Sequence, residues 1–193
     1  MLRHGVLYFS VLLAALTLLL PAREARAGTQ EKYSRTFKDY IVPDVTLLNQ
    51  HGKKVKLVEL LNSRKVVMVD FIYTTCTTIC PVLSAGFANF QRKVGQDSKN
   101  VLLVSISIDP ENDTPKRLRE YLKRYDAKPG WEFLTGSKGD IERVTKALDA
   151  YTYNKMSHLP LALLHSSAGK QWLRIYGLIG TSDLLAEYER MSK

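Results

Sequence analysis

Apolar residues cluster along the chain in short segments whose spacing predicts strands and helices in turn. Residues 45–48 and 55–58 are apolar stretches separated by a turn that contains Gly52, which indicates a β-hairpin. Residues 65–73 and 101–109 are mainly apolar and rich in β-branched side chains. Such segments are typical of strands covered on both faces, so they predict the centre of a sheet.

The remaining segments continue the alternation of helices and strands. They are a helix over 79–95, a helix that begins at Pro115, a strand over 131–134, a helix capped at Ser137, strands over 159–164 and 172–175, and a helix over 182–190. This order predicts an α/β domain with a central mixed sheet flanked by helices. It is similar to the thioredoxin-like fold, with an added N-terminal β-hairpin.

The N-terminal residues have the pattern of a secretory signal. A basic start precedes an apolar run over 5–20 and a small-x-small motif that ends at Ala27. These 16 apolar residues are fewer than the roughly 20 that span a bilayer as a helix, so cleavage after Ala27 is favoured over an uncleaved membrane anchor. The pattern thus divides the chain into a signal peptide (1–27), a polar arm (28–42) and the folded domain (43–193), exported to the periplasm.

The charge balance narrows the classes of partner. The chain has 28 basic and 19 acidic residues, a net charge of +9, and loses three arginines and one glutamate on cleavage, which leaves +7. The basic residues are scattered rather than clustered, as expected of a solvated surface. We therefore expect no nucleic-acid partner, whereas an acidic protein or an anionic membrane surface is compatible with the charge.

The only two cysteines, Cys76 and Cys80, directly follow the first buried strand. A disulfide between them would close a five-residue loop and contribute only about 2 kcal/mol, against nearly 5 kcal/mol for a loop of order 100 residues. A structural disulfide is therefore a poor explanation for the pair. Ligands of open α/β sheets bind at the carboxyl ends of strands, where these cysteines fall.

One histidine is expected to face the cysteines. In thioredoxin-like proteins a cis-proline begins the strand opposite the active-site cysteines, and Pro160 resembles it. His158 would then lie on the loop facing Cys76 and Cys80. We expect His165, inside the following strand, to have no role in the site.

Two thiolates and one imidazole form a soft set of three ligands. Thiolates select copper(I), zinc and iron–sulfur centres, and a structural zinc would need a fourth protein ligand. Copper, as one Cu(I) or Cu(II) ion per domain, therefore fits better. Among nearby residues, Asp109 is interpreted as a turn former and Asp113 as a helix cap, while the role of Tyr73, at the strand end, is left open.

Three motifs then resemble those of the Sco/SenC family. They are Thr-Cys-Thr-Thr-Ile-Cys-Pro at 75–81, Ser-Ile-Asp-Pro-Glu-Asn-Asp-Thr-Pro at 107–115 and Lys-Met-Ser-His at 155–158. The resemblance implies that Cys76, Cys80 and His158 correspond to the family's copper ligands. Residues 77–78 and 157 depart from the family pattern, in which many members have Pro-Asp and Asp.

The resemblance also implies a function. Family members are implicated in delivering copper to, or reducing the cysteines of, the dinuclear copper site of cytochrome c oxidase. We therefore expect a periplasmic copper chaperone whose partner is that oxidase subunit or another cuproprotein. The alternatives are a thiol-disulfide oxidoreductase that uses Cys76 and Cys80 on other periplasmic thiol-disulfide proteins, and a copper or redox sensor.

Overall fold

The computed structural model describes residues 33–64, 66–95 and 99–193, so the predicted signal peptide lies outside the described residues. Its sheet has eight strands in the order β1-β8-β7-β4-β5-β6-β2-β3. The strands are β1 (Tyr33–Lys38), β2 (Thr46–Asn49), β3 (Lys54–Lys56), β4 (Val66–Ile72), β5 (Val101–Ser107), β6 (Trp131–Thr135), β7 (Leu161–Ser166) and β8 (Trp172–Gly177). The three central strands β4, β5 and β6 are parallel, and the remaining pairs are antiparallel. The predicted mixed sheet and the β2–β3 hairpin are confirmed.

Helices cover both faces of the sheet. They are α1 (Leu57–Leu61), α2 (Ile79–Val94), α3 (Pro115–Arg124), α4 (Lys138–Ala147) and α5 (Thr181–Met191). Side chains of β4 alternate between two apolar cores: Met68 and Ile72 pack with α2, α3 and α5, whereas Val67 and Val69 pack with α1 and α4. This alternation explains why the whole of β4 is apolar enough to be predicted as a covered strand. Within the described part of the chain, no helix is long and apolar enough to cross a membrane.

Two local features differ from the sequence-based expectations. The polar composition of 28–42 predicts no strand, yet residues 33–38 form β1 because β8 offers an edge to pair with. Arg35 of β1 also donates a 2.9 Å hydrogen bond to the buried carboxylate of Glu187 on α5. Val58, expected in the second strand of the hairpin, lies in α1, where Leu57 and Leu61 bury the same helix face.

The sheet topology brings two loops to one edge. Because β4 and β7 are antiparallel, with Asp70 opposite Ala162, the end of β4 and the start of β7 lie side by side. The first loop carries the cysteines and the second carries His158. Pro160 precedes β7 as expected, but the predicted cis bond is wrong: no cis peptide occurs in the described residues. The trans form is the intrinsically preferred one, and here Pro160 still links the loop to β8, because its carbonyl accepts from the N–H of Gly177 at 2.9 Å.

Candidate metal and thiol site

The two cysteines lie together where β4 passes into α2. Cys76 is in the loop after β4, where its N–H donates to the carbonyl of Tyr73 at 3.2 Å. Cys80 is in the first turn of α2, which follows Thr78 as N-cap residue. Both are free thiols and both are buried, with exposures of 7% for Cys76 and 0% for Cys80. The more accessible sulfur is therefore that of Cys76.

The two thiols ionise over different pH ranges. Burial by itself would raise the pKa of Cys76, but hydrogen bonds from the Cys80 thiol and from the backbone N–H groups of Cys80 and Thr78 outweigh it and lower that pKa to about 7. The pKa of Cys80 is raised far above its ordinary value, mainly by burial and then by its hydrogen bond to Cys76. Cys76 is thus the thiol that becomes a nucleophile or ligand first.

The loop that carries Cys76 is anchored by a buried carboxylate. Asp113 is fully buried and accepts from the backbone N–H of Thr74 at 3.2 Å, from the hydroxyl of Thr74 and from the hydroxyl of Ser107 at 2.6 Å. The helix cap expected at Asp113 is instead Thr114, whose hydroxyl accepts from the N–H of Arg117. Asp113 therefore ties the end of β4 to the end of β5 and fixes the start of the cysteine loop.

His158 follows a short 3-10 turn formed by Lys155–Ser157 and precedes β7. It is buried, and neither imidazole nitrogen has a hydrogen-bond partner. Burial lowers the pKa of His158 to about 4, so the ring is neutral at physiological pH. A neutral, unpartnered imidazole is chemically suited to bind a metal. The structure does not, however, close a three-ligand site: within the described residues, no three His, Cys, Asp or Glu side chains form a group that could hold a metal ion.

The loop that carries His158 is linked to the cysteine loop by two contacts. Lys155 forms a 2.6 Å ion pair with the buried carboxylate of Asp109, which follows β5. The hydroxyl of Tyr73 donates to the thioether sulfur of Met156 at 3.3 Å. Asp109 is therefore a link between loops as well as a turn residue, and Tyr73 lines the site. Neither role could be assigned from the sequence, because both partners are more than forty positions away along the chain.

One buried acid was missed entirely. Asp70 lies in the middle of β4, is 0% exposed, and has no hydrogen-bond partner for either carboxylate oxygen. Burial raises the pKa of Asp70 to about 7, and its charge contributes to the raised pKa of Cys80. The signal in the sequence was a single acidic residue inside an otherwise apolar strand, where an unpaired charge is costly.

The structure gives His165 a packing role. This residue lies in β7 and its ring stacks on the indole of Trp172, with ring centroids 4.5 Å apart and an interplanar angle of 15°. The contact accounts for the position of His165 without any ligand. It is therefore a matched control for His158 in metal-binding experiments.

The fold and the paired thiols define a thioredoxin-like dithiol protein. The chain belongs to the SCO1/SenC family, whose model matches residues 34–169. It is 41% identical over 106 residues to the SCO1 protein homolog of Bacillus subtilis, an alignment that covers 54% of each chain. It is 33% identical over 138 residues to an SCO2-like protein of Rickettsia conorii, covering 68% of this chain and 62% of that one. The chain thus spans about half to two thirds of the length of these relatives.

Solved structures are similar over more of the chain. BsSco, a member of the Sco family of cytochrome c oxidase assembly proteins in which a disulfide switch has been identified, has a TM-score of 0.66 at 32% identity, with coverage of 80% of this chain and 94% of that one. Bradyrhizobium japonicum ScoI with copper bound has a TM-score of 0.66 at 27% identity, with coverage of 78% and 99%. Arabidopsis thaliana ScoI with copper bound has a TM-score of 0.65 at 27% identity, with coverage of 78% and 97%.

Proposed function

We propose that this protein is an exported, periplasmic copper chaperone. It holds one copper ion with Cys76 and Cys80 and passes it to the cytochrome c oxidase subunit that carries the dinuclear copper site, or to another cuproprotein. The observation that carries the proposal is the pair of adjacent free thiols at the start of α2. The copper-bound structures of family relatives support it.

His158 is proposed as the third ligand. Its two ring nitrogens are buried without partners, which is costly unless a ligand occupies one of them in a working state of the protein. Because the loop of His158 joins the sheet beside the cysteine loop, a shift of this one loop would bring the imidazole to the sulfurs. The contacts that resist such a shift are the Lys155–Asp109 ion pair and the hydrogen bond of Tyr73 to Met156.

Anaerobic titration with Cu(I) in competition with a chromogenic chelator tests the ligand set. We expect one Cu(I) per chain, loss of tight binding in Cys76→Ser and Cys80→Ser, and at least about tenfold weaker binding in His158→Ala. His165→Ala is the matched control, since that ring packs on Trp172 within the sheet. Equal affinity of His158→Ala and the parent protein would remove His158 from the ligand set, and substoichiometric binding by the parent would refute the proposal.

Delivery is tested separately from binding. The copper-loaded protein is mixed with an apo fragment of the oxidase subunit that carries the dinuclear site, and the copper content of each protein is measured after separation. Transfer from the loaded protein, but not from an equal amount of copper on a small chelator of the same affinity, would support a chaperone. Retention of copper under these conditions would contradict delivery and leave only storage.

The asymmetry of the thiols favours a second candidate function, thiol-disulfide exchange. The Cys76 thiolate would attack a partner disulfide, forming a mixed disulfide and releasing one partner thiolate; Cys80, after losing its proton, would then attack the Cys76 sulfur and release the second. The partner gains two electrons and the protein ends as the Cys76–Cys80 disulfide. Only Cys76 has the lowered pKa and partial exposure that an attacking thiol needs.

Trapping distinguishes this activity from copper delivery. Cys80→Ser should accumulate a mixed disulfide with a partner or with a model disulfide, because nothing resolves it, whereas Cys76→Ser should not. His158→Ala should leave this exchange unchanged. Dependence of the exchange on His158 would contradict the simple dithiol mechanism.

A further inference from the structure

The side chain of Met156 contacts the site although most of it is exposed. It is 73% exposed, and a single exposed apolar side chain needs no explanation by itself. Its sulfur nevertheless has a specific partner, because the hydroxyl of Tyr73 donates to it at 3.3 Å. Burial and then the nearby Cys76 sulfur raise the pKa of Tyr73 to about 12, so the same hydroxyl also lies close to that sulfur. Two sulfur atoms, one exposed and one buried, therefore flank a single hydroxyl.

The backbone around Met156 is held in place on both sides. Its N–H donates to the side-chain oxygen of Asn154 at 2.9 Å, which starts the 3-10 turn. The preceding residue, Lys155, pairs with Asp109 at 2.6 Å and lies over the ring of Tyr73 at 5.4 Å. These contacts place the thioether at the mouth of the thiol site rather than leaving it on a free loop.

We propose that Met156 binds Cu(I) through its sulfur, beside Cys76, as an exchangeable ligand at the entrance of the site. The thioether is soft, neutral and polarisable, so it matches Cu(I) and needs no loss of a proton to bind. It is also far more accessible than the thiols, with 73% exposure against 7% for Cys76 and 0% for Cys80. Copper arriving from solvent or from another protein therefore meets this sulfur before the buried ones.

The proposed step is a ligand exchange without electron transfer. Cu(I) keeps its charge while the Met156 sulfur replaces one ligand of the incoming carrier, and the Tyr73 hydroxyl releases that sulfur and keeps its contact with Cys76. The inference rests on the proposed copper function, so the experiment must separate failure of one from failure of the other.

Nuclear magnetic resonance of the methionine methyl groups tests the bond directly. The chain has four methionines, at positions 1, 68, 156 and 191, and Met68 is fully buried in β4. With the methyl carbons isotopically labelled, one equivalent of Cu(I) is added anaerobically to the reduced protein. We expect the Met156 methyl resonance to shift by several linewidths, while those of Met68 and Met191 stay in place.

Affinity measurements complete the test. Met156→Leu keeps the apolar bulk and removes the sulfur, and we expect its Cu(I) affinity to fall by at least about tenfold, with slower uptake from a small-thiol carrier. Met191→Leu, on α5, is the matched control and should bind as the parent does. Stoichiometric Cu(I) binding with an unmoved Met156 resonance, or with unchanged affinity in Met156→Leu, would overturn this inference and leave the proposed function intact. Absence of Cu(I) binding by the parent protein would overturn both.

Discussion

Replacing Asp70 by asparagine should remove a pH-dependent loss of stability that the buried carboxyl imposes. The pKa of Asp70 is raised to about 7 from 3.8 because the side chain is fully buried. Well below pH 3.8 the carboxyl is protonated in both the folded and the unfolded chain, so it imposes no such cost. As the pH rises from about 4 to about 7, the unfolded chain ionises and the folded chain does not, so folding stability falls. By linkage, the gap between 3.8 and about 7 amounts to about 4 kcal/mol once the pH exceeds 7.

The assay is urea unfolding followed by circular dichroism between pH 4 and pH 8. Both proteins carry Cys76→Ser and Cys80→Ser, so that thiol ionisation does not contribute, and the histidines contribute equally to both. We expect the stability of Asp70→Asn relative to its parent to rise by about 4 kcal/mol across this range. The exposed Asp44→Asn is the control for loss of one negative charge. Parallel stability curves for Asp70→Asn and its parent would refute the raised pKa and with it the unpartnered, buried state of this carboxyl.

Three further predictions concern the thiols and one buried ion pair. Alkylation of Cys76 should show a midpoint near pH 7 in the parent protein. Cys80→Ala should move that midpoint upward because it removes the side-chain donor at position 80, whereas Cys80→Ser, which keeps a hydroxyl donor, should move it less; an unmoved midpoint in Cys80→Ala would contradict that interaction. Binding of Cu(I) at pH 7 should release about 1.5 protons, because Cys76 is half ionised, Cys80 is protonated and His158 is neutral. Calorimetry in buffers of different ionisation enthalpy measures the number of protons released. Release of less than one proton would exclude Cys80 as a thiolate ligand. Glu187→Gln should lower the free energy of unfolding by about 1–3 kcal/mol, because the buried carboxylate of Glu187 pairs with Arg35 and Arg190. The exposed Glu189→Gln should leave the free energy of unfolding unchanged.

The sheet could be predicted from the sequence because its signal is local. The apolar run of β4, interrupted only by Asp70, and the spacing of apolar residues in α2 each reflect burial of the element itself. The pairing of β1 with β8 could not be predicted, since five of the six residues of β1 are exposed and its stability comes from a strand more than 130 positions away. The cis form of Pro160 was expected only by analogy with thioredoxin-like proteins. The trans peptide bond allows the same position of Pro160 before β7.

The chemistry of the site could be predicted only in part from the sequence, because several of its contacts join residues that are far apart along the chain. Cys76 and Cys80 are only four positions apart, one in the loop after β4 and the other in the first turn of α2, so they must lie close together. This proximity can be predicted directly from the sequence. The contacts of Tyr73 with Met156 and of Asp113 with Thr74 depend on which loops the topology brings to one edge. A sequence shows those residue types, but the sheet order decides which of them meet.

The hydrogen bond between the two thiols connects the two candidate functions. It contributes to the lowered pKa of Cys76 and, after burial, to the raised pKa of Cys80. This difference suits disulfide attack, because one sulfur is reactive while the other keeps its proton until it is needed. In the proposed copper site both sulfurs bind as thiolates, so the ion would displace the proton of Cys80 and break this interaction between the thiols. Below the pKa of Cys76, copper binding must release two protons, one from each thiol. Lower pH therefore weakens copper binding more strongly than it would if only one thiol had to ionise. Release of copper is favoured by the same property, because reprotonation of Cys80 restores the bond between the thiols.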